Sequence, residues 1–421
     1  MFAQGECSYP GFRAPNFRER RGLTLVELLV AITLTLILVA AVLGVFQWVG
    51  DGVTKNRSLI EGNGQLRNVA LRLQDDLDSI TVPVMPWADP ADQLGYFEYV
   101  EGPMRDGGND APNFRTGDSD DILMFTARAK GRPFVGRFGA TTIESEEAEI
   151  IWWIRPVDFN NDGTPDSATV YRRVLLIRPD LNGSNGQLAG AGNNALTFYQ
   201  NNDISVRAFG GGLAANSLGD LTKRECRALH VASAFPFSLD ATALQTFPTA
   251  SFVLQGARLG EDVMLSNVLA FDVRAYDPYA PVGSSGSGST AVGVAPGDGQ
   301  SANSMPPNTV GRGAYVDLNY SGGSTKTTLA EQGFQFAPMQ KSGLAAATYC
   351  TWSLHYELGG VGLDGLDNGA GTTGIVAGVG ERLAAPPCAV PLRGLRVRIR
   401  ILEPSTEQIQ QMSVVASFVP E

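Results

Sequence analysis

Residues 20–27 read Arg20-Arg21-Gly22-Leu23-Thr24-Leu25-Val26-Glu27, and residues 28–50 continue LLVAITLTLILVAAVLGVFQWVG without a single charge. Those 23 uncharged residues, at about 1.5 Å of rise each, give roughly 34 Å of helix, enough to cross a bilayer. In the stretch Arg13 to Arg21, Arg13, Arg18, Arg20 and Arg21 stand against Glu19. The positive-inside rule therefore places residues 1–22 in the cytoplasm and everything after Gly50 on the outer side. A cleaved secretory peptide fits poorly, because its apolar core spans about 7–15 residues and ends at small residues of A-x-A type. Here the run is longer and ends VGDG. An ordinary signal anchor fits length and charge but leaves Glu27 unexplained. A carboxylate in a membrane helix costs about 2.5–3.5 kcal/mol on insertion scales, so it needs a partner and a task.

The remainder of the chain narrows the function classes. Of 421 residues, 43% are hydrophobic and 18% charged, so a substantial core can be buried. The net charge of -11 argues against a general nucleic-acid binder, which needs a basic face. Histidine occurs only at His230 and His355, which leaves few players for hydrolytic triads or histidine-ligated metals. Catalysis is not expected. Gly360 to Gly365 and Gly369 to Gly374 both match G-x-G-x-x-G, yet neither follows a strand and opens a helix, so a dinucleotide site has no context.

Beyond the weak helical point at Asp51-Gly52, Leu59, Leu66, Leu73 and Ile80 recur every seven residues, with Ala70 and Leu77 beside them. Arg67, Arg72, Asp75, Asp76 and Asp78 fill the other faces, which predicts an amphipathic helix over residues 51–82 packed on its own sheet. Pro83 and Pro86 stop it. Short apolar segments follow at 122–125, 149–154, 169–177, 268–276, 395–402 and 412–419, and these read as strands. In the clearest, Leu395, Val397, Ile399 and Ile401 alternate with Arg396, Arg398 and Arg400, so one face is expected to be wet. Gly-, Ser- and Asn-rich stretches near 182–219, 283–313 and 359–387 read as long loop insertions. The expected fold is α+β, a long N-terminal helix packed on an antiparallel β-sheet head, with boundaries at 1–22, 23–50, 51–82 and 83–421.

Two further sites are candidates. Asp158, Asn160 and Asp162 with Gly163 follow the first half of a calcium-loop pattern, and Thr164 and Asp166 add oxygens. Position twelve is Thr169 rather than Glu, so a plain hairpin turn competes with a calcium-binding turn. Cysteines stand at 7, 226, 350 and 388 with no C-x-x-C; loss of the leader allows one intramolecular pair at most, and Cys350 with Cys388 is the choice.

The order of basic run, Gly22, Leu23-Thr24-Leu25-Val26-Glu27 and apolar helix resembles the type IV prepilin signature. That resemblance implies a membrane peptidase that cuts after Gly22 and methylates the amine of Leu23, where the family more often has Phe. Glu27 becomes fifth in the mature chain. Its implied role is assembly: the freed amine of an incoming subunit pairs with a neighbour's carboxylate, so both charges are neutralised in a low-dielectric setting. LRNVALRLQDDL, DILMFTAR, EIIWWIR, TVYRRVLLIR, LSNVLAFDVRAYD and PLRGLRVRIRIL, in that order, resemble the minor pseudopilins of type II secretion, the J-type in particular. The implied partners are prepilin peptidase, other minor and major pseudopilins, an inner-membrane assembly platform and membrane lipid, with no nucleic acid. The implied location is a single pass through the bacterial inner membrane with a periplasmic head. Calcium binding also occurs in that class. A minor type IV pilin acting in adhesion or DNA uptake is the alternative.

Overall fold

Helix α1 runs unbroken from Leu25 to Leu77 in a computed structural model, which describes residues 24–85, 87–101, 119, 121–157, 167–232, 252–285, 292–295, 309–318, 347–353 and 391–419. The chain divides into two units, Met1–Arg57 and Ser58–Glu421. In the first, helix α1 is exposed throughout its apolar stretch. Gly50 and Gly52 do not interrupt it, although each glycine costs about 1 kcal/mol against alanine.

In the second unit the helix buries Gly62, Leu66, Val69, Ala70, Leu73, Asp76 and Leu77, a spacing of three and four that marks one helical face. Leu66 and Leu73 are fully buried, a gain of about 1.5–3 kcal/mol each. Gly62 is small for a reason: a Cβ there would lie 3.4 Å from the side-chain oxygens of both Gln410 and Glu403. Gln410 Nε2 donates to the Leu59 carbonyl at 3.2 Å across the same contact. The helix ends sooner than its heptads suggest. Ile80 lies past Leu77 and forms a β-bridge with Ala127 instead.

Among the described residues, ten strands make the main sheet: β1 Phe97–Glu101, β2 Ile122–Arg128, β3 Glu147–Val157, β4 Ser167–Leu176, β5 Val263–Ser285, β6 Val292–Val294, β7 Thr309–Val316, β8 Ala347–Cys350, β9 Gly394–Glu403 and β10 Gln408–Ser417. The spatial order is β8-β1-β2-β3-β4-β5-β9-β10, with β6 and β7 both paired to the long β5, and every pairing is antiparallel. This is the expected α+β arrangement of a long apolar helix followed by a large antiparallel sheet, consistent with a pilin-like fold. All six anticipated strands are present, each longer than its apolar segment; β1, β6, β7 and β8 carried no comparable signal, and β6 with the start of β7 corrects the reading of 283–313 as loop.

Alternation along the strands feeds two cores. Leu123, Phe125, Ile150 and Trp152 face the helix side with Leu73 and Leu77. Met124, Ile151 and Trp153 face the other side and meet a second layer built from residues 177–232. That layer corrects the reading of 182–219 as loop. It contains helix α2, Ala195–Asn201, capped by Asn194 accepting from the Thr197 amide, and a hairpin of Val206–Phe209 with Gly212–Ala215. Phe198, Tyr199, Ile204, Val206 and Leu213 are buried there without any regular spacing, which is why periodicity missed them.

The arginine face of β9 is also less wet than expected. Arg396, Arg398 and Arg400 are half-buried; Arg398 approaches Asp272 at 3.6 Å and Arg396 lies over the Tyr315 ring at 5.2 Å.

Candidate functional site

Thr24 and Glu27 open the helix with a reciprocal set of hydrogen bonds. The Thr24 amide donates to Glu27 Oε2 at 2.9 Å, the Thr24 hydroxyl donates to the same oxygen at 3.0 Å, and the Glu27 amide donates to Thr24 Oγ1 at 3.2 Å. This is a capping box, the S/T-x-x-E arrangement that satisfies amides left over at a helix start. The sequence reading gave Glu27 an intermolecular role only. The box's signal in the sequence is the S/T-x-x-E spacing of Thr24-Leu25-Val26-Glu27.

Past the cap, the helix hides its few polar groups. Thr33 donates its hydroxyl to the Val30 carbonyl at 2.9 Å, and Thr35 donates to Ala31 at 2.6 Å, so neither hydroxyl needs water. Among the described residues, Leu25–Leu77 is the helix long and apolar enough to cross a membrane.

Residues 17–43 match the family model described as the prokaryotic N-terminal methylation motif. The chain carries a prepilin-type N-terminus. The match spans Arg18, Arg20, Arg21, Gly22, Leu23, Glu27 and about two thirds of the apolar segment, and the helix that follows is long and apolar enough to serve as a single membrane anchor, consistent with a prepilin-type N-terminus. No curated protein and no solved structure matches the chain.

Other expected site residues fall differently. Gly22 and Leu23 lie outside the described residues, as do Asp158, Asn160, Asp162, Thr164 and Asp166. The flanks of 158–166 are strands: Val157 pairs with Ser167, so the calcium-like segment joins adjacent antiparallel strands rather than two helices. Cys350 is a buried free thiol, raised in pKa chiefly by that burial, and Cys388 lies outside the described residues.

Sequence reasoning missed the buried charges that lock the head of this prepilin-type chain. Asp76, placed on the polar face of the helix by its spacing, is buried. Arg172 donates from Nε at 2.6 Å and Nη2 at 2.8 Å, and Trp152 Nε1 donates at 2.9 Å. On the sheet's other side, Glu98 is enclosed by Arg224, Arg227 and His230, with Arg227 Nη1 at 2.6 Å and His230 Nε2 at 3.2 Å. Burial opposes the charge on Glu98, but the two guanidiniums and His230 hold its carboxyl well below the usual range. Burial pushes His230 the other way, down to about 4, so its ring is neutral at pH 7. Glu149 accepts from the Tyr96 hydroxyl, the Ser205 hydroxyl and the Ala228 amide, and burial raises its pKa. Each of these groups ties the layer of residues 177–232 or the helix to the sheet. Composition shows that such residues exist, but their partners are far away in sequence.

Proposed function

We propose that this chain is a structural subunit, cut after Gly22 by prepilin peptidase, methylated on Leu23, and assembled as a minor pseudopilin at the tip of a type II secretion pseudopilus. The observation that carries the reading is the coincidence of the methylation motif over residues 17–43 with an exposed apolar helix whose only carboxylate in its first turn is Glu27. In this reading the helix is stored in the inner membrane with its leader in the cytoplasm and its head in the periplasm. On extraction into the filament it exchanges lipid for the helices of neighbouring subunits. Glu27 serves twice, first capping its own helix and then meeting the freed amine of the adjoining subunit, which fixes register. The head works by contact rather than catalysis; the partners are other pseudopilins and the inner-membrane assembly platform.

Mass spectrometry of the membrane form tests processing. The expected species starts at Leu23 and carries one added methyl group; an intact Met1 in cells that contain the peptidase overturns the reading. Deletion of the gene tests the subtype. Loss of protein export with twitching and DNA uptake intact supports the secretion assignment, whereas the reverse pattern assigns a minor type IV pilin.

A further inference from the structure

We propose that a groove between the end of α1 and the turn at residues 128–135 is a docking site for an acidic segment of a neighbouring protein subunit. It rests on the assembly reading only for the statement that the partner is a subunit. The groove encloses about 510 Å³ and is lined by Arg72, Arg128, Lys130, Arg132 and Arg172, five cations in one place on a chain of net charge -11. Two carboxylates share it, Asp75 and Asp76, and Asp76 is already held by Arg172 and Trp152. Arg128 is engaged by Glu147 at 2.7 Å. Lys130 and Arg132 are exposed, and among the described residues neither has an ion-pair partner. Gly131 lies between them at φ +106, a backbone state that favours glycine, where the chain bends.

The lining selects the kind of anion. Phe134 and Val135 form an apolar lip, with Val135 59% exposed, beside the charges. A free phosphate would have no use for that lip, while a peptide with carboxylates and an aliphatic side chain uses both. Long nucleic acid engages a broad basic face, and the acidic bulk of this chain repels it. Head-to-tail assembly brings unlike patches of adjacent subunits together, so a basic groove on one and an acidic segment on the next is the complementarity such a contact needs.

The test uses the full chain in a non-ionic detergent and a fluorescein-labelled octapeptide of alternating glutamate and leucine, read by anisotropy. We expect saturable binding that weakens at least tenfold between 50 and 500 mM salt, as screening requires. Lys130→Glu combined with Arg132→Glu should weaken it at least tenfold with the melting temperature unchanged, because both side chains are exposed. Equal binding by that variant, or by a peptide with glutamine in place of glutamate, overturns the proposal. Tighter binding of a twenty-nucleotide thymidine strand than of the peptide also overturns it. Mass spectrometry of the same preparation, made in cells that contain the peptidase, separates the two readings: processed protein that ignores the peptide defeats the groove alone, and unprocessed protein that binds it defeats the pilin-type function alone.

Discussion

Glu27 Oε2 receives both the amide and the hydroxyl of Thr24, so the carboxylate expected to await a neighbour's amine is already bound within its own helix. Capping and intermolecular pairing make separable demands. Glu27→Gln keeps the capping geometry, since glutamine serves in the same box, but removes the charge. Thr24→Ala removes the cap's hydroxyl and leaves the charge, at a cost of about 1 kcal/mol in helix stability. Under the proposed function, Glu27→Gln should sharply reduce incorporation into filaments, scored by subunit cross-linking, while Thr24→Ala should assemble nearly as wild type. The opposite ranking would make capping the residue's whole role.

The ion pair of Asp76 with Arg172 is 4% and 9% exposed at its two side chains. Asp76→Asn would leave a nearly buried guanidinium without its counter-charge, which costs about 3–5 kcal/mol. A fall of many degrees in the melting temperature of the full chain, followed by circular dichroism, is expected. Asp75→Asn, on the exposed face one residue away, should change it little.

Acid should loosen the second layer before it denatures the rest. His230 falls from 6.5 to about 4 on folding, so the unfolded chain takes up a proton that the folded chain refuses. Its contribution is complete above pH 6.5 and declines as pH falls toward 4, by on the order of 3 kcal/mol in total. Below that window the lowered Glu98 adds loss of the same sign; Glu149, raised by burial, opposes both because protonation relieves it. Urea denaturation between pH 7 and 4 should show the slope, and His230→Gln should flatten it. A slope unchanged in that variant would move the origin elsewhere.

Gly95 offers a test of backbone need. It sits at φ +78, and a Cβ there would lie 2.1 Å from Thr126 Oγ1, whose side chain also meets Thr81 Oγ1 at 2.6 Å and the Tyr96 amide at 3.0 Å. Gly95→Ala should therefore cost at least about 1–3 kcal/mol, through left-handed strain and a displaced hydrogen-bond node. Gly131→Ala, with open space around its Cβ, should lose only the strain part. Equal melting temperatures for the two variants would contradict this.

Local patterns carried most of the fold. The membrane helix, the buried stripe of Leu66, Ala70, Leu73 and Leu77, and the alternating β9 were legible because each is written in neighbouring residues. Asp76 was misplaced because spacing says which side of a helix a residue occupies, and a strand about 96 positions later supplied the Arg172 that made burial tolerable. The second layer escaped for a related reason. Its apolar residues are separated by glycines and asparagines, and their order appears only once Trp153, Ile151 and Met124 give them a surface to cover. The Thr24 cap is different, since its whole signature lies within four neighbouring residues, Thr24 to Glu27.

The fastening of Glu98 by Arg224, Arg227 and His230 constrains how this head could change over time. A smaller version could not arise by deletion alone. Excising residues 224–230 would strand an acid beneath the sheet with nothing to answer it, so any lineage that sheds the layer must rewrite position 98 in the same step.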